Sequence, residues 1–256
     1  MSNLLNDKAI VDAFISYLRQ KGYPNLKVER RPEEENRNSS DIEAIAGPFA
    51  IEHTSIDTII NQRRDSDWFF KAVGGLEELT QQLTCRLSIT IPYEGVQIGQ
   101  DWSKVRESFK AWIMNASPTL PDGMHIVSNE AGIPFEFHVK KSSERKPGLF
   151  FARFAPEDNS LPERIRLHLA RKAQKLKPYK KQGYATILLV ESDDIALMNE
   201  NIMLDAIRRG FSNHLPEGVD QLWYSDTTIV DELLFYDFTE SIQRIEGSGL
   251  PLTVEK

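Results

Sequence analysis

Two acidic residues, Asp41 and Glu52, lie on either side of a Gly47-Pro48 turn. The surrounding pattern predicts two short strands joined by that turn. Because side chains two apart in a strand point the same way, Asp41 shares a face with Glu43, and Glu52 shares one with Thr54. If the strands pair through the turn, the carboxylates of Asp41 and Glu52 approach each other. Carboxylates beside apolar residues need a cation or a donor, and oxygen ligands of this kind suit Mg²⁺; the alternative is a surface hairpin with solvated acids.

These residues resemble the motif of the PD-(D/E)xK nuclease superfamily, in which an Asp and a (D/E)-x-K on the next strand hold a divalent metal and position the attacking water. The matching residues here are Asp41 and Glu52-His53-Thr54, with Thr54 standing where the family has its lysine. The resemblance implies Mg²⁺ or Mn²⁺ held by Asp41, Glu52 and the backbone carbonyl of His53. In many members an acidic residue of the first helix faces the metal. Asp7 is the candidate for it here, with helix capping as its alternative role.

A helix predicted over residues 162–181 offers the positive charge that the motif lacks. Lys172 follows Ile165 by seven residues, which brings it back to within about 20° of that apolar position. Lys175 lies at the edge of the same stripe. A lysine that faces inward must extend to water or meet a carboxylate. Some members of the resembled family place the missing lysine on this helix, so Lys172, with Lys175 as the next candidate, is predicted to reach the Asp41/Glu52 site.

Composition favours a soluble globular protein, with 40% hydrophobic and 27% charged residues in a chain of 256. No apolar run approaches the roughly 18 residues that a membrane helix needs, and the first residues lack the features of a signal peptide. The single cysteine, Cys85, excludes an internal disulfide and a cysteine-rich zinc site, and its apolar neighbours predict that it is buried. We therefore expect a cytoplasmic protein without membrane association.

Charge is distributed unevenly along the chain. The net charge is −7, yet residues 140–181 contain 13 Lys and Arg against 4 Asp and Glu, a local balance of +9. Such a segment is typical of a phosphate-binding surface, although a solvated helix face has the same composition. We predict that it forms the basic rim of the Asp41/Glu52 cleft. The expected partner is nucleic acid, with DNA favoured over RNA, and a homodimer is left open.

Hydrophobic periodicity predicts an α/β protein whose mixed central sheet is flanked by helices. The apolar run at 184–191 is typical of a central strand covered on both faces. A helix over 199–213 and a strand over 221–225 follow it, and this order implies a parallel pair. The order of elements is that of the restriction-endonuclease-like fold that the resemblance implies. It gives one nuclease-like domain over 1–256, with a core of 6–57 and 160–240 and a large α+β insertion over 58–159.

Three functions remain open at this stage. The first is a metal-dependent nuclease that hydrolyses phosphodiester bonds. The second is a catalytically inactive nuclease-fold protein that binds nucleic acid, which the absence of the motif lysine and the acidic net charge favour. The third is a protein-interaction domain whose insertion is the interface.

Overall fold

The computed structural model describes most of the chain as an α/β protein with two mixed sheets. Chain contacts divide it into a first unit, residues 1–58 with 159–256, and a second unit, residues 59–158. The described residues are 6–35, 41–96, 99–128, 130–154, 156, 158–194 and 197–243.

The helices, in chain order, are α1 (Asp7–Gln20), α2 (Pro32–Glu35), α3 (Gln62–Val73), α4 (Trp102–Asn115), α5 (Leu161–Lys181), α6 (Glu200–Phe211) and α7 (Thr239–Gln243). The strands are β1 (Val28–Arg30), β2 (Ala44–Ala46), β3 (Phe49–Ser55), β4 (Arg86–Pro92), β5 (Gly123–Val127), β6 (Phe137–Ser142), β7 (Gly148–Phe154), β8 (Ala185–Ser192), β9 (Gln221–Asp226) and β10 (Leu234–Asp237). Among the described residues, no helix is long and apolar enough to span a bilayer.

The first unit contains a six-stranded sheet in the order β1-β2-β3-β8-β9-β10. The predicted hairpin is confirmed, since the Gly47-Pro48 turn joins β2 to β3 and places Ala44 opposite Ile51. β3, β8 and β9 run parallel, and the outer strands pair antiparallel. The parallel pair expected on either side of α6 is therefore also confirmed.

Helices cover both faces of this sheet. On one face, Phe14 of α1 packs with Ile51 of β3 and Leu189 of β8. On the other face, Leu169 of α5 shares a core with Leu188 of β8 and with α6. Burial on both sides confirms the predicted central strand, and it fixes which face of β3 each functional side chain reaches.

Several local predictions are wrong. β2 begins at Ala44, so Asp41 and Glu43 precede the strand. The reason is that the backbone groups of Ile42 form hydrogen bonds outside the sheet. Its amide donates to the Asp41 carboxylate, and its carbonyl accepts from the Glu33 amide at the start of α2.

The helix predicted over 162–181 is confirmed, since α5 continues through Pro178 to Lys181. On α6, Met203 and Leu204 are buried and Ile202 is exposed.

The second unit has its own core around Phe109, Trp112 and Phe137, beneath a sheet in the order β5-β6-β4-β7. Cys85 is buried there, as predicted. The basic segment 140–181 covers β6, β7 and α5 and is divided between the two units, so the predicted basic rim stays a prediction. The charge of Lys141 is used internally, since its ammonium donates to three backbone carbonyls between β5 and α4.

Candidate active site on helix α5 and strand β3

Four polar side chains of α5 lie along one stripe of the helix: His168, Lys172, Lys175 and Tyr179. Their spacing of four, three and four residues keeps them on one side of an α-helix. Each meets a polar group of β3 or of the segment that leads into β2. The stripe is a polar seam beside an otherwise apolar helix–sheet interface.

Glu52 is the centre of this seam and has no exposed surface. Its Oε1 lies 2.7 Å from the Lys172 ammonium and 3.0 Å from the Lys175 ammonium. Lys172 also donates to the backbone carbonyl of His53 at 3.3 Å. The predicted approach of Lys172 is therefore confirmed at Glu52. Burial raises the pKa of the Glu52 carboxyl, and the two ammonium groups oppose that shift.

The second carboxylate oxygen of Glu52, Oε2, is buried and has no hydrogen-bond partner among the described residues. A buried carboxylate oxygen without a donor is costly, which is why such atoms are usually found beside a cation, a donor or a bound water. This atom is the point at which the seam can accept a further ligand.

Asp41 accepts hydrogen bonds from Lys175 and Tyr179, the last two residues of the stripe. Its Oδ1 accepts a 2.7 Å hydrogen bond from the Tyr179 hydroxyl, and its backbone carbonyl accepts one of 2.7 Å from Lys175. Burial and the bond to Asp41 raise the pKa of Tyr179 to about 12, so the phenol remains protonated and continues to donate. Tyr179 is a site residue that the sequence analysis missed; its spacing from Lys172 and Lys175 is the signal that could have found it.

Glu43 also joins this site, although the predicted carboxylates were Asp41, Glu52 and Asp7. Continuing the register of Ala44 with Ile51 by one residue brings Glu43 opposite Glu52. Burial, a hydrogen bond with Glu33 and the charge of Glu52 raise the pKa of Glu43 to about 8. At neutral pH, Glu43 is therefore largely protonated and can act as a donor among its neighbouring carboxylates.

Thr54, at the position of the motif lysine, contacts the near end of the stripe. Its hydroxyl lies 2.6 Å from Nε2 of His168. Burial, together with the charges of Arg171 and Lys172, lowers the pKa of His168, which favours a neutral imidazole. The neutral pair of Thr54 and His168 thus occupies the place where the family motif has an ammonium group. The positive charge is that of Lys172, one turn further along α5.

The His53 side chain points to the opposite face of β3, as expected for the residue after Glu52. Its ring is only 1% exposed, with Nδ1 3.5 Å from Oδ1 of Asp7 and Nε2 3.2 Å from Oε2 of Glu191. One ligand atom from each of these three residues lies within 4.8 Å of the others, so the set could hold a metal ion. Asp7, predicted to face the same metal as Glu52, therefore lies beside the His53 ring on the opposite face of β3. The His53 carbonyl, predicted as a ligand, accepts from Lys172.

No family model, curated protein or solved structure matches this chain.

Proposed function

We propose that the protein is a metal-dependent nuclease that hydrolyses phosphodiester bonds, with DNA as the expected substrate. The order α1, β1, β2, β3, α5 and β8, with β3 parallel to β8, supports the restriction-endonuclease-like core implied by the resemblance. The 59–158 unit interrupts that order between β3 and α5.

The observation that carries the proposal is the position of Lys172. Its ammonium contacts both the Glu52 carboxylate and the His53 carbonyl. The resembled motif implies that these two groups are ligands of the cation. Lys172 of α5 therefore brings an ammonium group to Glu52, whereas the family motif supplies it from the position of Thr54. In phosphodiester hydrolysis, an ammonium group here would stabilise the charge that develops on the phosphate and orient the attacking water.

The residues at the seam fit a hard divalent cation such as Mg²⁺ or Mn²⁺. Glu52 Oε2 is buried without a hydrogen-bond partner among the described residues, and the His53 carbonyl oxygen lies nearby on the same strand. Carboxylate and carbonyl oxygens are the ligands that such ions prefer. When bound, the ion would supply Lewis-acid activation of water and phosphate. Glu52, the His53 carbonyl and Asp41 would hold it, and Lys175 would keep the Asp41 backbone in place.

A second candidate is a catalytically inactive nuclease-fold protein that binds nucleic acid or another protein. The observation that favours it is that two ammonium groups already share Oε1 of Glu52. This arrangement compensates the buried charge without a metal. Binding of DNA that weakens steeply with salt, without Mg²⁺-dependent cleavage, would support this alternative.

The test is cleavage of supercoiled DNA, linear DNA and RNA with Mg²⁺, Mn²⁺ or EDTA. We expect wild type to cleave with metal and Lys172→Ala to lose roughly 10²–10³-fold in rate. Lys177→Ala is the matched control, because Lys177 lies on the same helix but pairs with the exposed Glu217. If wild type cleaves none of these polymers, or cleaves them equally well in EDTA, the proposal is wrong. Equal cleavage by both lysine variants would remove the catalytic role of Lys172.

A further inference from the structure

The three residues on the opposite face of β3 point to a second function of this strand. We propose that Asp7, His53 and Glu191 form a separate site for a first-row transition metal of the Zn²⁺ type. The ligands come from the start of α1 and from the carboxyl-terminal halves of β3 and β8. The His53 ring of this site points to the face of β3 opposite Glu52, and the proposal concerns metal binding there, not the proposed nuclease activity.

The spacing of the ligand atoms suits a small cation. With metal–ligand bonds of about 2.0 Å, tetrahedral ligand atoms are separated by roughly 3.3 Å. His53 Nε2 and Glu191 Oε2 already have this separation, at 3.2 Å. The Asp7 side chain is 67% exposed, and its ligand atom lies within 4.8 Å of those of the other two residues.

The state of the His53 ring is the second observation. Neither ring nitrogen has a hydrogen-bond partner among the described residues, because the contacts to Asp7 and Glu191 lack hydrogen-bond geometry. A buried polar group without a partner costs free energy, and a metal bond to one nitrogen would remove that cost. The ring points at two carboxylates, which is what distinguishes this site from a surface acidic cluster.

The chemistry of the ligands selects the class of ion. Imidazole nitrogen suits Zn²⁺ and related transition metals, whereas the oxygen groups of the α5 seam suit Mg²⁺. Thr227 donates a 2.8 Å hydrogen bond to Oε1 of Glu191, and this bond orients the carboxylate as outer partners of metal ligands do. Three protein ligands leave a fourth position for water. Such an ion would link α1 to β3 and β8 through its three ligands.

The test uses the full-length protein, freed of metal with a chelator and then titrated with Zn²⁺ by calorimetry and with Co²⁺ by visible absorption. We expect one equivalent to bind at this site and to raise the melting temperature. Asp7→Asn and Glu191→Gln should each weaken Zn²⁺ binding at least tenfold, and the Co²⁺ spectrum should change in both. Asp7→Asn alters an exposed side chain, so it keeps the test valid if the buried variants fold poorly.

Two controls separate this site from other ligands. His214→Gln changes an exposed histidine, and Glu52→Gln changes the α5 seam; both should bind Zn²⁺ as wild type does. The proposal is wrong if wild type binds no equivalent of Zn²⁺, or if Asp7→Asn and Glu191→Gln bind it with unchanged affinity. Because the measurement is binding, this result does not depend on whether the protein cleaves nucleic acid.

Discussion

Glu52 has a fully buried carboxylate, and one of its oxygens is shared by the ammonium groups of Lys172 and Lys175. Removing one partner from a buried ionic cluster is costly because the remaining charges lose their compensation. We expect Glu52→Leu to lower the free energy of unfolding by about 3 kcal/mol, measured by urea denaturation. Glu217→Leu removes the exposed partner of Lys177 and should leave stability unchanged. Equal stability of the two variants would contradict the view that Glu52 organises the seam.

Glu43 provides a test of the electrostatics through pH. Its pKa is raised from 4.5 to about 8, so between these values the folded chain keeps a proton that the unfolded chain has released. The contribution of Glu43 to the free energy of unfolding therefore falls as pH rises through this range. Glu43→Gln keeps a neutral side chain at every pH. We expect it to melt a few degrees above wild type at pH 9 and close to wild type at pH 5, by circular dichroism.

The control for that measurement is Glu163→Gln. Arg166 lowers the pKa of Glu163, so this variant should give no increase in melting temperature at pH 9. An unchanged or lower melting temperature for Glu43→Gln at pH 9 would mean that the folded protein does not raise the pKa of Glu43.

Single residues differ in how well the sequence predicts them. The inward position of Lys172 follows from helical period alone, because α5 is long and its apolar stripe is regular. The role of Glu43 does not, because it depends on where β2 begins and on a bond to Glu33 of a short helix. The separation of His53 from Glu52 follows from strand alternation, but the partnership with Glu191 requires the order of strands in the sheet.

Among the elements, α5 positions most of the candidate active site, and its own position depends on α6. The two helices approach closely at Gly210, where an added Cβ would lie 2.7 Å from the Pro162 carbonyl oxygen. Gly210→Ala should therefore lower the free energy of unfolding by about 1–3 kcal/mol, even though alanine favours a helix over glycine by about 1 kcal/mol. Urea denaturation measures this change.

The matched control on the same helix is Arg209→Ala, whose side chain is exposed and pairs only within α6 in the described structure. We expect that variant to stay close to wild type. A Gly210→Ala protein that is more stable than wild type would show that the two helices are not held at this distance.

The elements with strong periodicity were predictable, and the exceptions have local causes. β3, β8 and α6 were predicted because an apolar run or stripe marks each of them. β2 starts late because backbone groups near Ile42 are used by α2 and by the Asp41 side chain. α5 covers its predicted range, and it continues through Pro178 because proline removes only one donor near a helix end at which Tyr179 donates to Asp41.

At the scale of the whole molecule, each of the two units has its own apolar core. The mixed helix and strand content of the 59–158 unit was predictable, but the order β5-β6-β4-β7 was not, because pairing between distant strands leaves no periodic signal. The same limit applies to charge. The +9 balance of 140–181 is a property of the sequence, whereas its division between units depends on the fold.

The most direct test of the proposed metal site at Glu52 is an anomalous difference map from a crystal of the full-length protein soaked in Mn²⁺. We expect a peak at coordination distance from Glu52 on the α5 face of β3, with Lys172 still beside the same carboxylate. A peak near His53 and Glu191 alone would support only the second metal site. If no peak lies at Glu52 and both ammonium groups remain 2.7 and 3.0 Å from Oε1, the proposal of a metal-dependent nuclease is contradicted.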